Sequence, residues 1–117
     1  MTTAVVYACV ECKADSTLVQ ERAIDEGHDF AERHDLTVVD TITDPYGDPN
    51  PQAREGWQRV RDLAADGKVN KVIVRWPNSI SPVHEARYGE IAYLQEHGVR
   101  VLFSCAPLAA MARAGSP

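Results

Sequence analysis

Two cysteines separated by two residues, in the run Tyr7-Ala8-Cys9-Val10-Glu11-Cys12, are the first side chains here with the makings of chemistry. A Cys-x-x-Cys pair can cycle between dithiol and disulfide, or supply half of a zinc site. Neither chemistry suits these neighbours. Extended residues alternate between faces, so Cys9 and Cys12 point to opposite sides, with Cα atoms roughly 10 Å apart at about 3.3 Å per residue. A disulfide needs about 7 Å or less, and Val10-Glu11 carries no turn residue. Redox pairs also sit at a helix N-terminus, whereas the first helical pattern starts several residues later. A zinc site needs further ligands, and only Cys105 and the scattered His28, His34, His84 and His97 remain, at spacings that make no ligand motif. The simpler reading is two partly buried thiols and four solvated helix histidines, with no metal and no cofactor. Ser16, Ser79 and Ser81 add hydroxyl nucleophiles, none with a visible base or cationic cluster.

The composition bounds what such groups can serve. A chain of 117 residues makes one domain with a core around a single sheet. Three cysteines, an odd number, point to reduced thiols instead of a disulfide framework. A net charge of -5 argues against autonomous nucleic-acid binding, which draws on a cationic face. No cationic segment followed by an apolar one opens the chain, and its apolar runs are strand-sized, so the expectation is a soluble cytoplasmic protein with no membrane role.

The elements that must position these residues alternate. Residues 4–10 form an apolar run that fits a strand buried on both faces. Asp15 or Ser16 can cap a helix running to about His34, with Val19, Ala23, Gly27, Phe30 and Ala31 as its inner face. Residues 37–42 are a β-branched strand, and the Pro- and Gly-rich stretch from Asp44 to Pro51 reads as a loop. A helix over about 52–66 buries Trp57, Val60 and Ala64 and ends at Gly67. A strand over 71–76, a proline-bracketed loop over 77–82, a helix over about 83–97 ended by Gly98, and a strand over 99–103 follow. The last dozen residues read as a frayed tail, giving a domain over 1–105 and a flexible tail over 106–117. Strand–helix alternation of this kind signals βαβ crossovers: a three-layer α/β fold, mainly parallel, four- or five-stranded, with helices on both faces. Ligands in such folds sit at the carboxyl ends of the strands, so the loops after Val10, Ile42 and Trp76 matter most.

Tyr7-Ala8-Cys9-Val10-Glu11 resembles the Y-A-R-V-S motif that opens the catalytic domain of resolvase/invertase serine recombinases. Ser16 to Gln20 with Ala23-Ile24 is similar to the family's first helix. Asp44 to Gly56 resembles its D-x-x-x-S-G loop and R-x-G. Val72 to Pro82 aligns without gaps with its apolar strand and D-R-L-S-R, and His97-Gly98-Val99 with its H-G-V. The resemblance spans residues 4 to about 104 and implies a resolvase catalytic-domain fold. The activity it implies is attack of a serine hydroxyl on a DNA phosphodiester, giving a phosphoserine link, with arginines around the charged transition state.

Carried over position by position, that chemistry is dismantled. Glu11 stands at the nucleophile, Cys9 at an arginine, Asn78 at the aspartate, and Ser79 and Pro82 at the two arginines of D-R-L-S-R; the loop serine is missing near Gly47, and Arg54 is retained. Three cations are lost, one anion is gained and one anion is neutralised, leaving the site three charges more negative. Losing one oxyanion donor typically costs roughly 10²–10³ in rate. The resemblance therefore implies a non-catalytic interaction or regulatory module, acting on itself (as a homodimer) or on a protein partner, with at most weak DNA binding. The family's long dimerising helix and DNA-binding region have no counterpart before Pro117. Alternatives are a divergent recombinase and a small-anion or nucleotide module; Trp76 and Tyr46 are candidates for a contact patch.

Overall fold

The computed structural model describes residues 2–10, 18–45, 50–75 and 79–104. The expected helix caps Asp15 and Ser16, along with Glu11, Cys12, Tyr46, Gly47, Trp76, Asn78, Cys105 and the tail, lie outside the described residues. The elements are β1 (Thr2–Val10), α1 (Leu18–Arg33), β2 (Leu36–Pro45), a 3-10 turn (Pro51–Ala53), α2 (Glu55–Ala65), β3 (Lys71–Val74), α3 (His84–Glu96) and β4 (Arg100–Phe103). The four strands form one parallel sheet in the order β2-β1-β3-β4. Strand order reverses at β1, so right-handed crossovers carry α1 to one face and α2 and α3 to the other.

The alternation of β1 divides the core between those faces. Ala4, Val6 and Ala8 pack toward α1, where Ala31 and Ala23 meet them. Val5, Tyr7 and Cys9 pack with Trp57, Val60, Leu94 and Ile80 beneath α2 and α3. Small residues let α1 lie close to the sheet. A Cβ on Gly27 would stand 2.7 Å from Val6 Cγ1, which is why a glycine is placed inside this helix. Val19, expected on the same inner face, is 48% exposed. Ala23 already packs on Ala8 near the end of β1, so the turn before it runs past the described sheet.

Helix α2 starts later than its sequence pattern suggests, because residues 51–53 form a separate 3-10 turn capped by the Asn50 side chain. Both expected glycine stops are present: Gly67 and Gly98 adopt φ of 70° and 76°, the left-handed conformation that closes a helix. Helices α2 and α3 are joined by the buried Glu90, which accepts from Trp57 Nε1 at 2.6 Å and Gln52 Nε2 at 3.0 Å and pairs with Arg61 Nε at 3.4 Å.

One irregularity governs the rest. The β1–β2 register runs Ala4↔Val38 and then Val5↔Asp40, so Val39 is an extra residue in β2. Before the bulge the even residues Leu36 and Val38 pack on the α1 side. After it, Ile42 pairs with Tyr7 and Asp44 with Cys9, on the α2 side. Side chains alternate with period two, so without the bulge Ile42 and Asp44 would face α1. Asp44, expected to begin a loop, is instead a strand residue aimed into the core. Deleting Val39 should therefore remove the cooperative thermal transition followed by circular dichroism, whereas Val39→Thr should leave it nearly unchanged.

Candidate functional site

The carboxyl ends of β1 and β2 and the start of α2 converge on Asp44. Its carboxylate is 7% exposed and saturated with donors: Tyr7 Oη at 2.7 Å, Gly56 N at 2.9 Å and Trp57 N at 2.9 Å. A buried carboxylate needs such partners, since desolvation otherwise costs several kcal/mol. The two backbone donors belong to the first turn of α2, whose N-cap position is held by Arg54, with no side-chain cap of its own. Asp44 thus caps α2 from a neighbouring strand, and its negative charge meets the positive end of the helix dipole. Gly56 is required for this approach: a Cβ there would lie 2.6 Å from Asp44 Oδ2.

Arg54 is turned inward. It is 5% exposed, and its Nη1 donates to the Ser79 carbonyl at 2.9 Å and reaches Tyr7 Oη at 3.5 Å. It thereby ties the β3–α3 loop to β1. Tyr7 also packs edge-on against Trp57, with ring centroids 5.0 Å apart. Burial is the first cause holding the Tyr7 hydroxyl protonated far into the alkaline range; the nearby Cys9 thiol and the Asp44 hydrogen bond reinforce it.

Cys9 shares this end of the sheet. It is 3% exposed and its Sγ lies 3.8 Å from the Pro45 carbonyl. Burial pushes the thiol up, and the nearby Arg54 charge only partly offsets that. A thiol kept protonated is a poor nucleophile and metal ligand. Among the described residues no group of three or more His, Cys, Asp or Glu side chains could hold a metal ion. Ser79 is 2% exposed, and Ser81 Oγ accepts from Val83 N at 3.0 Å in the turn before α3. Pro82 is exposed, away from this buried cluster. The structure therefore brings together Cys9, Arg54 and Ser79, while Glu11 and Asn78 lie outside the described residues. The four histidines are exposed, as expected: His28 meets Thr41 Oγ1 at 3.0 Å, while His34 and His97 bond carbonyls one turn back.

Sequence reasoning assigned no role to Tyr7, none to the Asp44 carboxylate, and missed Glu90. The available signal was chemical: a tyrosine in a continuous apolar strand must find a partner for its hydroxyl. Outside Asp44 lies an open recess of about 240 Å³ lined by Thr41, Thr43, Glu55, Gly56 and Arg59. Arg59 is paired with Asp40 at 2.7 Å, so the recess presents no unpaired cation to an anion. Among the described residues no helix is long and apolar enough to cross a membrane.

Two measurements test this geometry. Asp44→Ala should lower unfolding free energy in urea by about 3 kcal/mol, by orphaning a buried hydroxyl and two helix N–H groups; Gly56→Ala should cost about 2 kcal/mol through overpacking. At alkaline pH the unfolded chain releases protons from Tyr7 and Cys9 that the folded state retains. Their contribution is complete below the unfolded pKa values and is lost as pH rises above about 9 to 10, by up to about 1.4 kcal/mol per pH unit for each group. Tyr7→Phe should flatten that alkaline loss in urea titrations at successive pH values.

No protein-family model matches the chain, and no curated protein matches it. Solved structures do. The C-terminal catalytic domain of ISC1926 TnpA, an IS607-like serine recombinase, superposes with a TM-score of 0.77 at 20% identity, over 87% of this chain and 70% of that one. The N-terminal catalytic domain of TP901-1 integrase gives 0.72 at 17% identity, over 86% of this chain and 76% of its own. A resolvase family site-specific recombinase from Streptococcus pneumoniae gives 0.70 at 16% identity, over 98% and 88%. Likeness at such identities is likeness of backbone, and it agrees with the motifs in order and spacing: the chain has the fold of the serine-recombinase catalytic domains.

Proposed function

We propose that this chain is a serine-recombinase-like domain that has lost DNA strand cleavage and works by binding, to itself or to a protein partner. One observation carries the reading. Arg54, the basic residue retained from the motifs, is buried and spends its guanidinium on the Ser79 carbonyl and the Tyr7 hydroxyl. Cys9, at the position that resembles a family arginine, carries a protonated thiol. Neither presents positive charge to an incoming phosphodiester, and preorganised positive charge is the term phosphoryl transfer depends on most. Ser79, where the family has another arginine, contributes its carbonyl to the same internal network.

A divergent recombinase is the second reading, favoured by superposition on domains whose own names describe catalysis. The two separate on one experiment. Incubation with end-labelled duplex DNA of randomised sequence, followed by denaturing electrophoresis, should give no labelled protein band, and band shifts at low salt should be weak or absent. A covalent adduct that survives denaturation and is lost in Ser16→Ala, Ser79→Ala or Ser81→Ala would establish the enzyme reading and end the first one.

A further inference from the structure

The cations of this chain are used unevenly. Arg33, Arg54, Arg59, Arg61, Arg75 and Arg87 each hold a carbonyl or carboxylate within the molecule. Among the described residues the side chains of Arg22, Lys68, Lys71 and Arg100 make neither an ion pair nor a hydrogen bond. The last three gather at the amino end of the sheet, opposite Asp44: Lys68 leads into β3, Lys71 opens it, and Arg100 opens β4. Lys71 and Arg100 are register partners, so their side chains leave the same face of neighbouring strands, about 4.8 Å apart. The backbone around them is tied. Asn70 N donates to the Thr3 carbonyl at 2.9 Å, Arg100 N to the Asn70 carbonyl at 3.1 Å, and Thr3 N to Asn70 Oδ1 at 3.2 Å. Two like charges held side by side repel. The chain carries a net charge of -5, yet no described carboxylate pairs with either of them.

Beside the two cations lies a recess of about 370 Å³, lined by Lys71, Gln95, Gly98, Val99 and Arg100. Gln95 is exposed, and its side-chain amide makes no hydrogen bond to the described residues. Gly98, at φ 76°, has open space where a side chain would stand. We propose that this recess binds a phosphate dianion, free or as the end of a small phosphomonoester, between Lys71 and Arg100. Two positive charges match two negative ones. The Arg100 guanidinium offers paired N–H donors to two phosphate oxygens, Lys71 supplies a point charge, and the Gln95 amide adds a neutral donor. A bound dianion replaces one repulsion with two attractions. An open site screened by solvent and salt gives a dissociation constant on the order of 1 mM. The recess stands at the other end of the sheet from Arg54 and Cys9, so the inference goes beyond the binding-module reading and is tested apart from it.

Titration of the full, isotope-labelled chain with sodium phosphate at constant ionic strength, followed by amide resonances, tests this. Saturable shifts should cluster at Lys71, Gln95, Gly98 and Arg100. Arg100→Gln and Lys71→Gln should each weaken binding about three- to fivefold. Arg22→Gln, which removes an unpaired cation from α1, should bind as the wild type does. Arg100 is exposed, so its variant keeps the fold, and relief of the repulsion should leave its melting temperature in phosphate-free buffer equal or higher. Phenyl phosphate binding more tightly than phosphate assigns the recess to a monoester, and equal or weaker binding assigns it to the free ion; either supports the proposal. No saturation by about 20 mM phosphate, the same shifts from sodium chloride, or Arg22→Gln weakening binding as much as Arg100→Gln overturns it. Shifts produced by duplex DNA and not by phosphate overturn it as well.

Discussion

The Asp44 carboxylate is the constraint on which this end of the molecule depends. It is buried, and it is tolerable there only because three donors converge on it: a hydroxyl from β1 and two amides from α2. Each donor in turn depends on it. Tyr7 could not bury its hydroxyl without an acceptor, and α2, whose N-cap residue is an arginine with no capping side chain, would begin with unsatisfied amides. Gly56 is small because the carboxylate is close. One ionised group thus fixes the entry of α2, the closure of β1 on β2 and the packing of Tyr7 on Trp57. The bulge at Val39 aims it there.

This arrangement bears on which parts of the recombinase-like motifs are present. Tyr7, Asp44, Arg54 and Gly56 are all engaged in contacts the fold needs whether or not the chain cleaves anything. Arg54 is the informative case, because an arginine at such a position would ordinarily be read as a phosphate ligand. Here its guanidinium joins the Ser79 carbonyl to Tyr7, and its inward direction suits a structural tie.

The fold class was legible because periodicity reports burial directly. Strand 4–10 reads as buried on both faces, and its even and odd residues do fill two separate cores. Gly67 and Gly98 mark helix ends since few other residues adopt positive φ at low cost. The four histidines read as solvated and are exposed. Periodicity failed where an element ended or a residue was inserted. Val19 fits the inner stripe of α1 but lies beyond the described part of the sheet it should cover. Asp44 reads as the first residue of a proline-rich loop, and no local pattern betrays that a strand with an extra residue turns it inward.

From the sequence alone came the order of elements, the two-faced sheet, the resemblance to serine recombinases and the residues that depart from it, all properties of neighbours in the chain. The tertiary structure decided what those residues do. Cys9 is a buried, protonated thiol, Arg54 is an internal tie, and Glu90 is a bridge between α2 and α3. These outcomes depend on partners 25 to 47 positions away and on a register shift that reverses which face a side chain takes. Such contacts are set by how the layers close around a shared core, and one-dimensional spacing carries no record of that closure.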